Sequence, residues 1–517
     1  MSDADDRRFS WHPEPELLDY RDGEAREALS ELGSATWEAA LDFLYDEAMR
    51  RPVGPDSYPE ARQRYFGSTL RPASAPDNPT PSTALIAEFR ERIAPAMYNA
   101  QHPRSFSYFT APPLPSSIAG EVLSQWAHQG VDVWHAGPVA AFVEEEVTSW
   151  LRELVGFDAA GWGVLTSGGV MANVMAMTIA RDVHLRRLRN LSRPPRGRDL
   201  EGVRVYVSDQ AHFSIGRALS VLGFPRDTLR VVRSDERFRL QGEHVAEAIS
   251  ADRAAGLLPL AIAPVAGSTN TGSVDDTGAL ADIAEREECW LHVDAAYGGA
   301  ALLSERDAAR VPHLGRADSV TVDPHKWFFQ AYDIGGLVVR RREDLVATFH
   351  DAPEYYRSSS PQEEPLNWYQ HSFEGTRRFR GLKLWLSWKH LGTRGLGRLI
   401  EITDDLAASF ARSCGEHEQL EAVPADPELS IVCLRHLPGG AAHAAGLDPE
   451  ALDGHQDRLQ QALAATGEAW MSTTTLRERT FLRAGFMNPM TTQADLDITI
   501  GLVVDLGDRL ARKAGLR

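Results

Sequence analysis

Lysine is nearly missing from this chain of 517 residues. Four occur, at positions 326, 383, 389 and 513, so arginine supplies almost all of the 54 basic side chains. Arginine cannot stand in for lysine where a neutral amine must form an imine, because its guanidinium stays protonated. Each surviving lysine is therefore a position to explain. Cysteine is scarce as well. Cys289, Cys414 and Cys433 lie far apart with no CxxC spacing, which excludes a disulfide framework or a zinc site and fits reduced thiols. Positive charge is in deficit, and a formal net charge of -19 excludes a general nucleic-acid binder. No apolar run approaches a membrane span, and residues 1–15 lack the apolar stretch of a signal peptide. A cytoplasmic protein without membrane attachment is expected. Neither GxGxxG nor GxxxxGK[ST] occurs, so the dinucleotide and P-loop readings lack support.

What is present is an ordinary globular composition, 43% hydrophobic and 25% charged, in a chain long enough for two or three structural units. Residues 1–115 carry proline clusters at 52–59, 72–81 and 112–115 and read as an N-terminal arm or layer. From 116 to 385 helical periodicity (Val139, Phe142, Val143, Val147, Trp150, Leu151, Leu154) alternates with short apolar runs. The runs at 203–207, 260–265, 290–293, 319–322 and 336–339 predict an α/β domain with a mostly parallel sheet. Residues 386–517 predict a smaller α/β unit, with a strand at 429–434 and a closing helix at 495–513. The stretch 351–376, rich in Ser, Pro, Glu and Tyr, predicts a mobile loop.

Polar clusters follow the apolar runs, at the strand ends where open α/β sheets bind ligands. Thr166-Ser167-Gly168-Gly169 opens a helix and offers an anion-binding turn, or simply a tight turn. His212, in Ser208–His212, could stack on a planar group or be a structural histidine. Asp294, in His292–Tyr297, could hold a protonated pyridine nitrogen or cap a turn, and small Ala296 leaves room for a ring. Lys326, in Asp323-Pro324-His325-Lys326-Trp327, is a candidate imine-forming amine one strand further on. A carboxylate for a pyridine nitrogen followed by a lysine for an aldehyde is the pairing that pyridoxal 5'-phosphate requires.

These motifs, with Gln101-His102-Pro103, Gly267–Asp275 and Arg377–Arg380, resemble the group II pyridoxal-phosphate-dependent amino acid decarboxylases over most of residues 100–400. Lys383 also falls in a family-like stretch and reads as structural. The resemblance implies a fold-type I enzyme, akin to aspartate aminotransferase, that acts as a homodimer with shared active sites. It implies that Lys326 carries the cofactor, Asp294 pairs with its ring nitrogen, and His212 and Ala296 cover its two faces. Gly168, Gly169, Val170 and Ser319 would contact the phosphate, with Thr269, Asp323, His325 and Thr376 nearby. Asp323 stands where many relatives carry Asn, so it calls for a donor partner. Tyr355, with Tyr356 competing, would return a proton to the substrate. The substrate pocket would involve Tyr108, Phe109, Asp132, Trp134 and His135, partly from the partner subunit. The implied activity is decarboxylation of an L-amino acid, aromatic by preference. Asp132, His135 and Phe213 depart from aromatic-specific relatives. The alternatives are a same-fold enzyme that breaks another bond and a non-catalytic regulatory subunit. No metal is expected.

Overall fold

A computed structural model of the chain describes residues 23–54, 57–350 and 365–516. The chain forms two compact units, residues 1–105 with 462–470, and residues 106–461 with 471–517. Tyr355 and Tyr356 lie outside the described residues.

The first unit is helical where described, with segments at Gly23–Asp42, Tyr58–Phe66 and Ser82–Glu88. Ser57 and Glu60 form a reciprocal capping box that starts the second of these. Trp37, Leu41, Tyr45, Met49 and Tyr58 are exposed.

The second unit holds a seven-stranded sheet. Its strands are β1 (Trp162–Thr166), β2 (Val203–Ser208), β3 (Leu229–Val232), β4 (Leu258–Ala263), β5 (Trp290–Asp294), β6 (Ser319–Val322) and β7 (Gly335–Val339). The order is β1-β7-β6-β5-β4-β2-β3, and only β7 runs against its neighbours. The apolar runs predicted five of the seven. β1 contains Gly163, and β3 is an edge strand with Arg230 and an exposed Val231, so neither reads as a buried run.

Strand alternation sorts the chemistry by face. Leu291, Val293, Val320 and Val322 join one core with residues of the helices Thr277–Arg286 and Gly381–Gly415. The intervening His292, Asp294, Ser319 and Thr321 point to the opposite face, beneath the helix Gly169–Ile179, and are buried.

A second, antiparallel sheet comprises β8 (Leu420–Val423), β9 (Ile431–His436), β10 (Ser472–Leu476) and β11 (Arg479–Gly485), in the order β10-β11-β9-β8. The helix Gln493–Lys513 closes the chain from a Thr492–Asp495 capping box. Of the stretch 351–376 expected to be a mobile loop, residues 351–364 lie outside the described residues. Residues 367–372 are packed, with Trp368 fully buried and its Nε1 donating to the Ala141 carbonyl at 3.2 Å.

Candidate active site

Loops leaving β1, β2, β4, β5 and β6 meet at the carboxyl edge of the sheet and enclose a cavity of about 390 Å³. Lys326 lines it, with Nζ 3.1 Å from Asp323 Oδ2 and 5.4 Å from the centroid of Phe109. Asp323 thus has the donor partner that its position called for. Its Oδ1 is buried and unpaired among the described residues.

The turn after β1 must be glycine for reasons of space. A Cβ on Gly169 would stand 2.8 Å from Asp323 Oδ2. A Cβ on Gly335 would collide with the Gly168 backbone, so the turn is pressed against the start of β7. The backbone N–H groups of Gly168 to Val170 open a helix on the cavity wall, an arrangement suited to an anion. Gly267 has φ +92°, and a Cβ there would meet Tyr297 at 2.7 Å, so the turn after β4 also requires glycine. Buried Asp275 pins that turn by accepting from the backbone N–H groups of Val265 and Leu240, both at 2.7 Å. Burial raises its carboxyl to about 7, against the pull of those two bonds.

Asp294 accepts from Asn173 Nδ2 at 2.8 Å and from the Ala296 N–H at 3.2 Å. His212 lines the same cavity. Burial holds its imidazole below the usual range, although Asp294 pulls the other way. Phe213 beside it is 56% exposed and carries the Arg217 guanidinium 4.4 Å over its ring.

Of the expected site residues, the cavity brings together Phe109, Gly168, Gly169, Val170, His212, Thr269, Asp294, Ala296, Asp323, His325 and Lys326. Ser319 is a correction. It opens β6, at the end of the strand away from the cavity, and its Oγ accepts from Trp290 Nε1 at 3.0 Å and bonds His292 Nδ1 at 2.9 Å. It is not a phosphate contact. Thr376 is exposed and does not line the cavity. Tyr108, Asp132, Trp134 and His135 do not line it either. Tyr108 and His135 are exposed, and Trp134 packs edge-on against Phe142.

Three residues went unassigned in the sequence. Asn173 contacts Asp294 directly, one helical turn after Gly169. Tyr297 lines the cavity and stacks on Trp327 at 4.8 Å. Arg483 on β11 lies behind the wall, with Nε donating to the Thr269 carbonyl at 2.8 Å and its guanidinium 4.7 Å from the Phe109 ring centroid. Its Nη2 is buried with no partner among the described residues. No spacing signal links Arg483 to residues more than two hundred positions earlier.

The cavity offers an amine, a fixed carboxylate, a glycine turn open to an anion, and flat or small walls at His212 and Ala296. These fit pyridoxal 5'-phosphate, so fold and site define a lysine-dependent pyridoxal-phosphate enzyme. The profile described as "Pyridoxal-dependent decarboxylase conserved domain" matches residues 64–437, and the chain belongs to that family. It is similar to the aromatic-L-amino-acid decarboxylase of Bacillus atrophaeus, 33% identical over 82% of this chain and 85% of that one. It is also similar to the cysteine sulfinic acid decarboxylase of Mus musculus, 30% identical over 79% of this chain and 83% of that one. The Oryza sativa TDC solved with PLP and tryptamine superposes with a TM-score of 0.84 at 26% identity, over 94% of this chain and 98% of that one. The chain is thus a pyridoxal-phosphate-dependent amino acid carboxy-lyase. No helix among the described residues is long and apolar enough to cross a membrane.

Proposed function

We propose that this decarboxylase converts an aromatic L-amino acid to its amine and carbon dioxide, and that it does so as a homodimer. The observation that carries the substrate reading is the wall of Phe109, Phe213, Tyr297 and His212 around the cavity. The aromatic relatives support it.

When bound, pyridoxal phosphate supplies an aldehyde carbon for the substrate amine and a ring that takes up the electron pair left at Cα. The protein does the rest. Asp294 would hold a proton at the ring nitrogen by charge–charge attraction. His212, Ala296 and the glycine turn after β1 exclude water. Lys326 Nζ, held 3.1 Å from Asp323 Oδ2, would be the amine that carries the cofactor. Tyr355 is the proposed proton donor to Cα.

Incubation with a panel of L-amino acids tests the reading. Release of carbon dioxide and amine from phenylalanine, tyrosine, dopa or tryptophan is expected, without aldehyde or peroxide. Release from none of these would refute it. Tyr355→Phe is expected to divert product toward aldehyde and peroxide, as in an oxidase of the same fold. A second reading, an acidic side chain, is favoured by the unpaired Arg483 Nη2, so aspartate, glutamate and cysteine sulfinate belong in the panel.

The dimer reading rests on exposed apolar side chains of two helices. Val122, Leu123 and Trp126 lie on Pro115–Ala127, and Val139 and Phe142 lie on Pro138–Val155. Several exposed large apolar side chains on neighbouring turns of one helix fit an interaction surface. A partner chain would also give a role to Asp132, Trp134, His135 and Thr376, which stand outside this chain's own cavity. Sedimentation should give twice the chain mass, and Trp126→Glu should shift it toward monomer. The three cysteines are buried and unpaired, which supports a cytoplasmic location.

A further inference from the structure

Asp294 sits at one end of a buried polar chain that runs from β5 to β6 on one face of the sheet. Asn173, on the helix Gly169–Ile179, is its centre. Its Nδ2 donates to Asp294 Oδ2 at 2.8 Å and to Ser214 Oγ at 2.7 Å. Its Oδ1 accepts from Thr321 Oγ1 at 2.7 Å and meets His292 Nε2 at 2.9 Å. Two donors and two acceptor sites are the full capacity of a side-chain amide, and all four are used.

The chemistry of the partners fixes the protons between Asp294, Asn173, His292 and Ser319. A carboxylate only accepts, so the amide nitrogen of Asn173 must face Asp294, and its oxygen must face His292. His292 Nε2 therefore carries the proton. Its Nδ1, 2.9 Å from Ser319 Oγ, accepts the hydroxyl proton, and that oxygen accepts from Trp290 Nε1 at 3.0 Å. Asn173, His292, Ser319, Thr321 and Trp290 are each at most 1% exposed, so water cannot replace a lost partner. Burial drives the His292 imidazole down to about 4, so it stays neutral, and Asp294 is the one charge on this chain of bonds. Other ionisable groups around this region include His212, Tyr297, Asp323, His325 and Lys326 on the cavity wall, and His184, whose ring centroid lies 6.1 Å from that of Trp290.

We propose that Asn173 and His292 are positioning residues: Asn173 aims and polarises the Asp294 carboxylate, and His292 acts on Asp294 through the Asn173 amide without touching the cofactor. Without the amide donor the carboxylate can rotate about its last bond and its negative charge is less stabilised. A misaimed or partly neutralised Asp294 holds the ring nitrogen less firmly. Buried networks of this kind are sensitive to the loss of any member, since a stranded donor or acceptor finds no substitute.

The test uses the full chain reconstituted with pyridoxal 5'-phosphate and needs no substrate, so it is independent of which amino acid the enzyme takes. Asn173→Ala, His292→Phe and His292→Gln are compared with the parent by cofactor dissociation constant and by visible absorption between pH 6 and 9. Circular dichroism and sedimentation of the cofactor-free proteins check folding. Asn173→Ala should weaken cofactor binding about tenfold or more and change the pH dependence of the absorption. His292→Phe should do the same to a smaller degree. His292→Gln can keep an N–H donor toward Asn173 Oδ1, so it should bind more tightly than His292→Phe. If folded Asn173→Ala matches the parent in both readouts, the proposal is overturned. Should Asn173→Ala fail to fold, the histidine pair decides. Equal affinity in the Phe and Gln variants would overturn the role of His292.

Discussion

Lys326 Nζ lies 3.1 Å from Asp323 Oδ2, within the same turn that follows β6. The carboxylate is 2% exposed, and its other oxygen has no partner among the described residues. The pair explains how a carboxylate is tolerated beside a turn suited to an anion, because the amine neutralises it. Asp323→Asn removes one negative charge from the cavity wall. Cofactor affinity should rise about fivefold or more, since roughly 1 kcal/mol for one charge in water is a lower bound at a buried site. A fluorescence titration with pyridoxal phosphate checks this, and weaker binding would contradict it.

Lys326→Ala removes the only lysine of the four that lines the cavity. The visible absorption band of the loaded enzyme should disappear after removal of free cofactor. Turnover should fall by more than about a thousandfold. A retained band would mean that another group carries the cofactor.

Arg483 tests what the substrate presents. Arg483→Met should raise KM about tenfold or more and leave the cofactor spectrum unchanged if its Nη2, unpartnered among the described residues behind the Phe109 wall, is the group that meets a substrate carboxylate. If every substrate is affected, the carboxylate is the one on Cα. If only acidic substrates are affected, it belongs to the side chain. No effect on any substrate would remove Arg483 from the site.

Arg377 is buried against Glu144, and its Nη1 and Nη2 also donate to the carbonyls of Val131 at 2.9 Å and Leu165 at 2.7 Å. Glu144 also accepts the Leu165 N–H at 3.1 Å, so the pair ties β1 to the helix Pro138–Val155. Arg377→Met strands a buried acid and should cost about 3–5 kcal/mol at neutral pH. Burial already raises the Glu144 carboxyl, so mild acid should recover part of the loss. Denaturant unfolding at two pH values measures both.

Burial, together with Arg342 beside it, pushes the His371 imidazole down to about 4. Burial likewise lowers His292 and His455 to about 4. In the unfolded chain a histidine takes up its proton near pH 6.5. Between about 6.5 and 4 the unfolded state therefore binds more protons, and stability is lost as pH falls through that window. Each group contributes up to about 3 kcal/mol. The Tm should drop from pH 7.5 to pH 5, and His371→Gln should flatten that drop. An unchanged slope would show that His371 does not titrate this way.

The candidate site was legible because its members sit in short motifs directly after strands. The polypeptide leaves each parallel strand at the same edge, so Gly168, His212, Asp294 and Lys326 had to meet once the strands paired. Ser319 misled for the opposite reason. It lies in the same apolar run as the motif but at the start of β6, and the length of a strand separates it from the cavity. Its role depends on Trp290 and His292 across the register, which no linear pattern reveals.

The sequence by itself determined the cofactor chemistry. A lysine retained among arginines, a carboxylate one strand before it and a glycine turn state which bonds can be made, because reactivity belongs to residue types. Only the tertiary structure decided how those groups are held. Strand alternation placed His292, Asp294, Ser319 and Thr321 on one face, and the helix turn after Gly169 lowered Asn173 onto them. It also brought Arg483 from β11 to the wall of Phe109 and Thr269. Such contacts depend on packing between distant segments. The four lysines show the division: one is exposed to chemistry at Lys326, and one is buried at Lys383, whose Nζ donates to Glu121 at 2.8 Å.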